Sequence, residues 1–174
     1  MKTKQLAMNA MLAAMCAALG YLAIDTNIVK ASFESLPVLV SALLFGPVNG
    51  MLVGGVGSFV YQLLRYGVSV TTALWMLPCV ASGLIVGLGA RMGKYSLSRR
   101  QVLTLVVFSE LVFMGLNTFT IFVDSKIYDY YFPGIVMGAL GIRFVICVVK
   151  AAAYGAILPA LIKPLGQLAG SPAR

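Results

Sequence analysis

No charged residue interrupts the chain from Ser35 to Leu64, and none from Tyr66 to Ala90. A chain folded in water needs charge on its surface, and soluble domains carry roughly 25% charged residues. Here the charged share is 10% and the apolar share 60%, at a mean hydropathy of +0.96. That leaves too little polar surface to cover a water-soluble globule. A spanning helix takes about 20 apolar residues, so the 174 residues read as one all-α integral membrane domain.

Polar residues, prolines and glycines cut the apolar sequence into six segments, at about 6–24, 36–45, 50–64, 73–92, 101–123 and 135–165. Six transmembrane helices are therefore predicted. The second segment is short for a full span, and only "GPVNG" joins it to the third, which predicts a tight antiparallel pair. Ser98 followed by Gln101 has the spacing of a capping box and marks the start of the fifth helix. The opening "MKTKQ" leads into an apolar run with no small-residue cleavage pattern, which reads as a retained first helix.

Charge sets the orientation. With the N-terminus in the cytoplasm, the inner side receives Lys2, Lys4, Arg91, Lys94, Arg99, Arg100, Lys163 and Arg174, and the outer side Lys30, Arg65 and Lys126. This is a positive-inside bias with both termini cytoplasmic. Asp25, Glu34, Asp124 and Asp129 fall on the outer side. The net charge of +8 thus gathers at the inner surface, where anionic lipid explains it better than nucleic acid does.

Several chemistries are excluded or left without support. Histidine is absent, which removes Ser/His and Cys/His triads and most zinc hydrolase designs. Cys16, Cys79 and Cys147 lie in separate apolar segments without CxxC spacing, as small buried hydrophobes do. No metal ligand set is visible. "GLGARMGKYS" falls short of a phosphate-binding loop: Gly89 leaves three residues before the Gly-Lys pair, Gly87 leaves five, and Tyr95 follows Lys94. With one intramembrane acid and no acidic pair, an enzyme has little to work with.

Intramembrane charge is the most informative feature. Counted from the expected helix ends at 1.5 Å per residue, Arg143 lies about 12 Å from the outside and Glu110 about 14 Å from the inside. Both come near the midplane, where each needs protein or water and a partner. Two readings stand: Glu110 and Arg143 neutralise each other, or Arg143 grips an anionic ligand from the outer half. Lys150, seven residues on and on the same face, reads as mainly structural, snorkelling to the inner surface. Asn117 needs hydrogen-bond partners from a helix or a ligand. Trp75 and Tyr66 serve either as belt aromatics or as ligand-stacking rings, and the same holds for Tyr128, Tyr130 and Tyr131. In the first helix, Ala10, Ala14 and Ala18 form a smooth strip where another helix can come close, whether in this chain or in a partner.

The stretch "SFESLPVLVSALLFGPVNGMLVGGVGSFVYQLL" resembles the second-and-third-helix signature of the substrate-binding S components of energy-coupling factor (ECF) vitamin transporters. Further matches extend over nearly the whole chain: Ala10, Ala14 and Ala18; "LNT" at Leu116 to Thr118; Arg143 and Lys150 ahead of Pro159. The resemblance implies a multi-pass subunit of the bacterial plasma membrane that is not itself an enzyme and holds no cofactor. Such a subunit captures a vitamin from outside and delivers it by toppling against a transmembrane T subunit driven by two ATPases. It implies a docking face at Ala10, Ala14 and Ala18, and close packing of the second and third helices through the glycines. The pocket would lie in the outer half and draw on Arg143, Asn117, Trp75, Arg65 and Tyr66. Arg143 and Arg65 favour a carboxylate- or phosphate-bearing ligand such as folate or pantothenate, with a corrinoid or queuosine precursor also compatible. Ser58 stands where many relatives carry an acid, and "TTALWMLPCV" replaces the "FPGFT"-like segment of folate-type members. The alternative is a non-transport membrane scaffold of the MreD-like, rod-shape type, which shares the six-helix outline and needs no ligand pocket.

Overall fold

The apolar segments fold into helices in a computed structural model that describes residues 3–25, 30–138 and 140–169. They are α1 (Thr3–Tyr21), α2 (Ser35–Phe45), α3 (Pro47–Tyr66), α4 (Thr72–Met92), α5 (Arg99–Ile127), α6 (Pro133–Met137) and α7 (Leu140–Ala169). Between α1 and α2, the two-residue strands β1 (Ile24–Asp25) and β2 (Lys30–Ala31) pair antiparallel, with Ile24 opposite Ala31. Lys2, Arg174 and residues 26–29 of the outer connection lie outside the described residues.

Local chemistry accounts for the boundaries. The capping box at the start of α5 is formed: Ser98 Oγ accepts from the Gln101 N–H, and Gln101 Oε1 accepts from the Ser98 N–H at 2.8 Å. The last apolar segment is not one helix. Pro133, favoured in a first turn, opens the short α6, and α7 starts afresh at Leu140. The expected "GPVNG" loop shrinks to one residue, because Pro47 sits in the first turn of α3. Gly46 alone makes the turn, at φ 88°, a backbone region that glycine enters without penalty, and its N–H bonds Ala42 O at 3.0 Å.

α2 is the core. Every residue from Ser35 to Phe45 except Leu36 is buried, and α1, α3, α4 and α7 surround it. At 11 residues it is about 16 Å long, roughly half the hydrocarbon thickness of a bilayer. The glycines of α3 serve a different junction from the expected one. A β-carbon on Gly50 would stand 2.9 Å from Gly83 O, and one on Gly54 would stand 2.7 Å from Cys79 O; both are backbone atoms of α4. One on Gly57 would meet Cys16 Cβ on α1 at 2.6 Å. Positions four apart share a helix face, so the run seats α3 mainly against α4 and α1. Only Gly50 also touches α2, through Ala42.

Among the described helices, α4, α5 and the 140–167 part of α7 are long and apolar enough to cross a membrane. α5 and α7 run antiparallel, with Glu110 beside Lys150 and Leu103 against Gly155. At the end where α1 begins, Asn9 links α1 to its neighbours: it donates to Asn49 Oδ1 at 2.7 Å and accepts from Ser41 Oγ at 2.9 Å.

Candidate functional site

A cleft of about 40 Å³ opens between α5 and α7 beneath the connection that leads into α2. Ser32, Phe113, Met114, Asn117, Ile146 and Cys147 line it, together with three charged groups, Glu110, Arg143 and Lys150. All three charged side chains are buried, Glu110 at 1% exposure. A buried charge survives only when paired and hydrogen-bonded, and the pairing here is specific.

Lys150 Nζ lies 2.8 Å from Glu110 Oε2 and 4.4 Å from the Phe113 ring centroid, within reach of a cation–π contact. The other carboxylate oxygen accepts from Ser35 Oγ at 2.9 Å. Ser35 has a single hydroxyl hydrogen, so Tyr154, 3.0 Å away, donates to it. The chain Tyr154–Ser35–Glu110–Lys150 thus ties α7, α2 and α5 together at the floor of the cleft. Phe33 stacks edge-on against Tyr154 at 6.0 Å. Glu110 therefore pairs with Lys150, not with Arg143 as the sequence allowed, and Lys150 does not snorkel.

Arg143 lies higher on α7. Its Nη1 donates to Thr118 Oγ1 at 3.4 Å, and Thr118 in turn donates to Met114 O at 2.8 Å. The guanidinium is held at the wall of the cleft near Asn117.

The other sequence candidates lie elsewhere. Trp75 donates its indole N–H to Asp124 Oδ1 at 3.2 Å. Thr71 donates to the same oxygen at 2.5 Å, and Tyr130 donates to Asp124 Oδ2. This carboxylate fastens the start of α4, the end of α5 and the segment after α5 to one another. Partial burial and the hydrogen bond to Asp124 push the Tyr130 phenol above its ordinary range, so it stays protonated and donating. Arg65 donates to Tyr21 O at 3.3 Å and lies over the Tyr66 ring; Tyr66 packs edge-on against Tyr61. The structure thus brings Asn117 and Arg143 together at the cleft and leaves Trp75, Arg65 and Tyr66 outside its lining. Sequence reasoning missed Ser32, Phe113, Ser35 and Tyr154. Lys150, seven residues after Arg143 on a helix, did give a signal, but one that pointed to the inner surface and not to Glu110. Ala10, Ala14 and Ala18 all face outward from α1, beside the exposed Met11 and Met15.

A family profile described as "ECF-type riboflavin transporter, S component" matches residues 1–164. No curated protein matches the chain. Among solved structures, the one described as "Structure and mechanism of the S component of a bacterial ECF transporter" aligns at a TM-score of 0.64 and 19% identity. The alignment covers 96% of this chain and 98% of that one, and at this identity the likeness establishes the fold. With the profile covering nearly the whole sequence, the chain belongs to the ECF-type riboflavin transporter S component family.

Proposed function

We propose that this protein is the substrate-capturing subunit of a bacterial plasma-membrane importer and that its ligand is riboflavin or a close flavin. The observation that carries the reading is the cleft between α5 and α7, in a chain whose family takes its description from riboflavin transport. The cleft has what a neutral planar ring with a polyol tail requires. Phe113 and Met114 offer apolar surface, Asn117 offers both a donor and an acceptor, and Arg143 is a fixed donor for ring carbonyls. Folate and pantothenate, favoured on sequence, gain less from this arrangement. Glu110 already neutralises Lys150, and Arg65 reaches Tyr21 O instead of the cleft. Small-molecule sites run to ~300 Å³ or more, so the reading requires the cleft to widen around its ligand.

The remaining parts follow from the same reading. The bundle spans the bilayer with the short α2 enclosed at its centre and both termini in the cytoplasm, as the positive-inside distribution favours. The outward-facing Ala10, Ala14 and Ala18 dock on a transmembrane T subunit whose two ATPase partners supply the energy. The vitamin enters from the opposite side.

The test is a fluorescence titration of purified protein with riboflavin, since flavin emission is quenched when the ring stacks in a protein. Saturable quenching that excess folate or pantothenate does not reverse is expected. Binding of folate or pantothenate without flavin binding would overturn the substrate, and indifference to a full vitamin panel would favour the scaffold.

A further inference from the structure

One end of the helix bundle carries positive charge without any acid among its described residues. Lys4 at the start of α1, Arg91 and Lys94 at the end of α4, Arg99 and Arg100 opening α5, and Lys163 near the end of α7 are all exposed. They belong to one end of the molecule. Asn9 bonds Asn49 beside the α2–α3 turn, Tyr95 packs its hydroxyl against Gly46 in that turn, and the antiparallel register of α5 and α7 brings Lys163 toward the α4–α5 loop. The acids are placed elsewhere: Glu110 is paired within the bundle, Asp25 lies in β1, and Glu34, Asp124 and Asp129 are at the opposite end.

What borders the cations distinguishes their partner. Met92, 84% exposed, sits beside Arg91, and the exposed Leu88 and Leu103 lie a turn away from Arg91 and Arg99. An acidic protein or a nucleic acid would meet the cations across water. Here they rim an outward apolar belt, the level at which phospholipid phosphates stand when acyl chains cover the belt.

We infer that this collar is a binding surface for anionic phospholipid headgroups, which collects them around the protein in preference to zwitterionic ones. The assignment is independent of which vitamin the cleft takes.

The protein is placed in nanodiscs of equimolar phosphatidylglycerol and phosphatidylcholine, and the lipids it retains on release are counted by native mass spectrometry. Phosphatidylglycerol is expected to be enriched about fivefold or more, the worth of a single surface cation. The enrichment should fall at least by half in Arg91→Gln/Lys94→Gln and in Arg99→Gln/Arg100→Gln, while Lys126→Gln at the other end leaves it unchanged. If a double variant fails to fold, the wild type decides: its enrichment should collapse when the discs are equilibrated in about 1 M salt, where the Debye length is ~3 Å. Parity in the wild type, or enrichment indifferent to salt and to the variants, overturns the assignment and gives this end to a protein partner.

Discussion

Lys150 shows how far a single residue can be read from sequence. Its spacing from Arg143 is plain, but its partner depends on where two helices begin. The expected sixth helix started at about 135, which put Arg143 at the depth of Glu110. Because α7 begins at Leu140, Arg143 is only about 5 Å along it, level with Thr118, and Lys150 falls to Glu110. A helix start displaced by a turn therefore exchanged the partners. Removing one member of a buried pair strands the other, at a cost of about 3–5 kcal/mol. Lys150→Ala should therefore lower the thermal unfolding midpoint sharply, and Glu110→Gln/Lys150→Met should recover most of the loss; equal damage in both proteins would mean that the pair is not what matters there. Arg143→Ala should weaken riboflavin at least tenfold, since a hydrogen bond from a charged donor is worth ~1.5–3 kcal/mol. Titration of the folded variant measures it, and unchanged affinity would confine Arg143 to holding Thr118.

At the level of elements, the sequence announced the helices more clearly than their neighbours. Apolar run length set the cores of α1 to α5 to within a few residues, and the capping box set the start of α5. The glycines announced close approach without saying to what, because a missing side chain is equally compatible with any partner. The structure answers with backbone atoms of α4 and a β-carbon of α1. Gly83→Val would push a side chain into the α3 backbone at Gly50, where little can yield. Overpacking of this kind costs about 1–3 kcal/mol or more, seen as a lower unfolding midpoint or lost expression. Gly115→Ala is the contrast: nothing lies within 4 Å of the added carbon, so the helix should gain up to about 1 kcal/mol. If the two variants behaved alike, glycine content rather than contact would be the cause.

For the whole molecule, the distribution of charge was legible from the first reading, since it needs only an order of segments. The cleft was legible only in part. Asn117 and Arg143 could be picked out as polar residues in apolar helices, whereas Ser32 and Ser35 reach the site through a connection whose path no periodicity encodes. Ala14→Trp should abolish co-purification with a T subunit while leaving flavin titration unchanged, because the residue faces away from the chain's own core. Loss of both would return the strip to internal packing. The enclosure of α2 also bears on biosynthesis. A helix of 11 residues is too short to span a bilayer alone, and although Ser41 finds Asn9 on the preceding α1, Ser35 finds Glu110 and Tyr154 only once α5 and α7 are in place. A nascent polypeptide released just after α3 would therefore hold an unfinished centre. The centre closes only when α5 supplies Glu110 and α7 supplies Tyr154, so a chain ending before Leu140 lacks one of the three helices to which α2 is hydrogen-bonded.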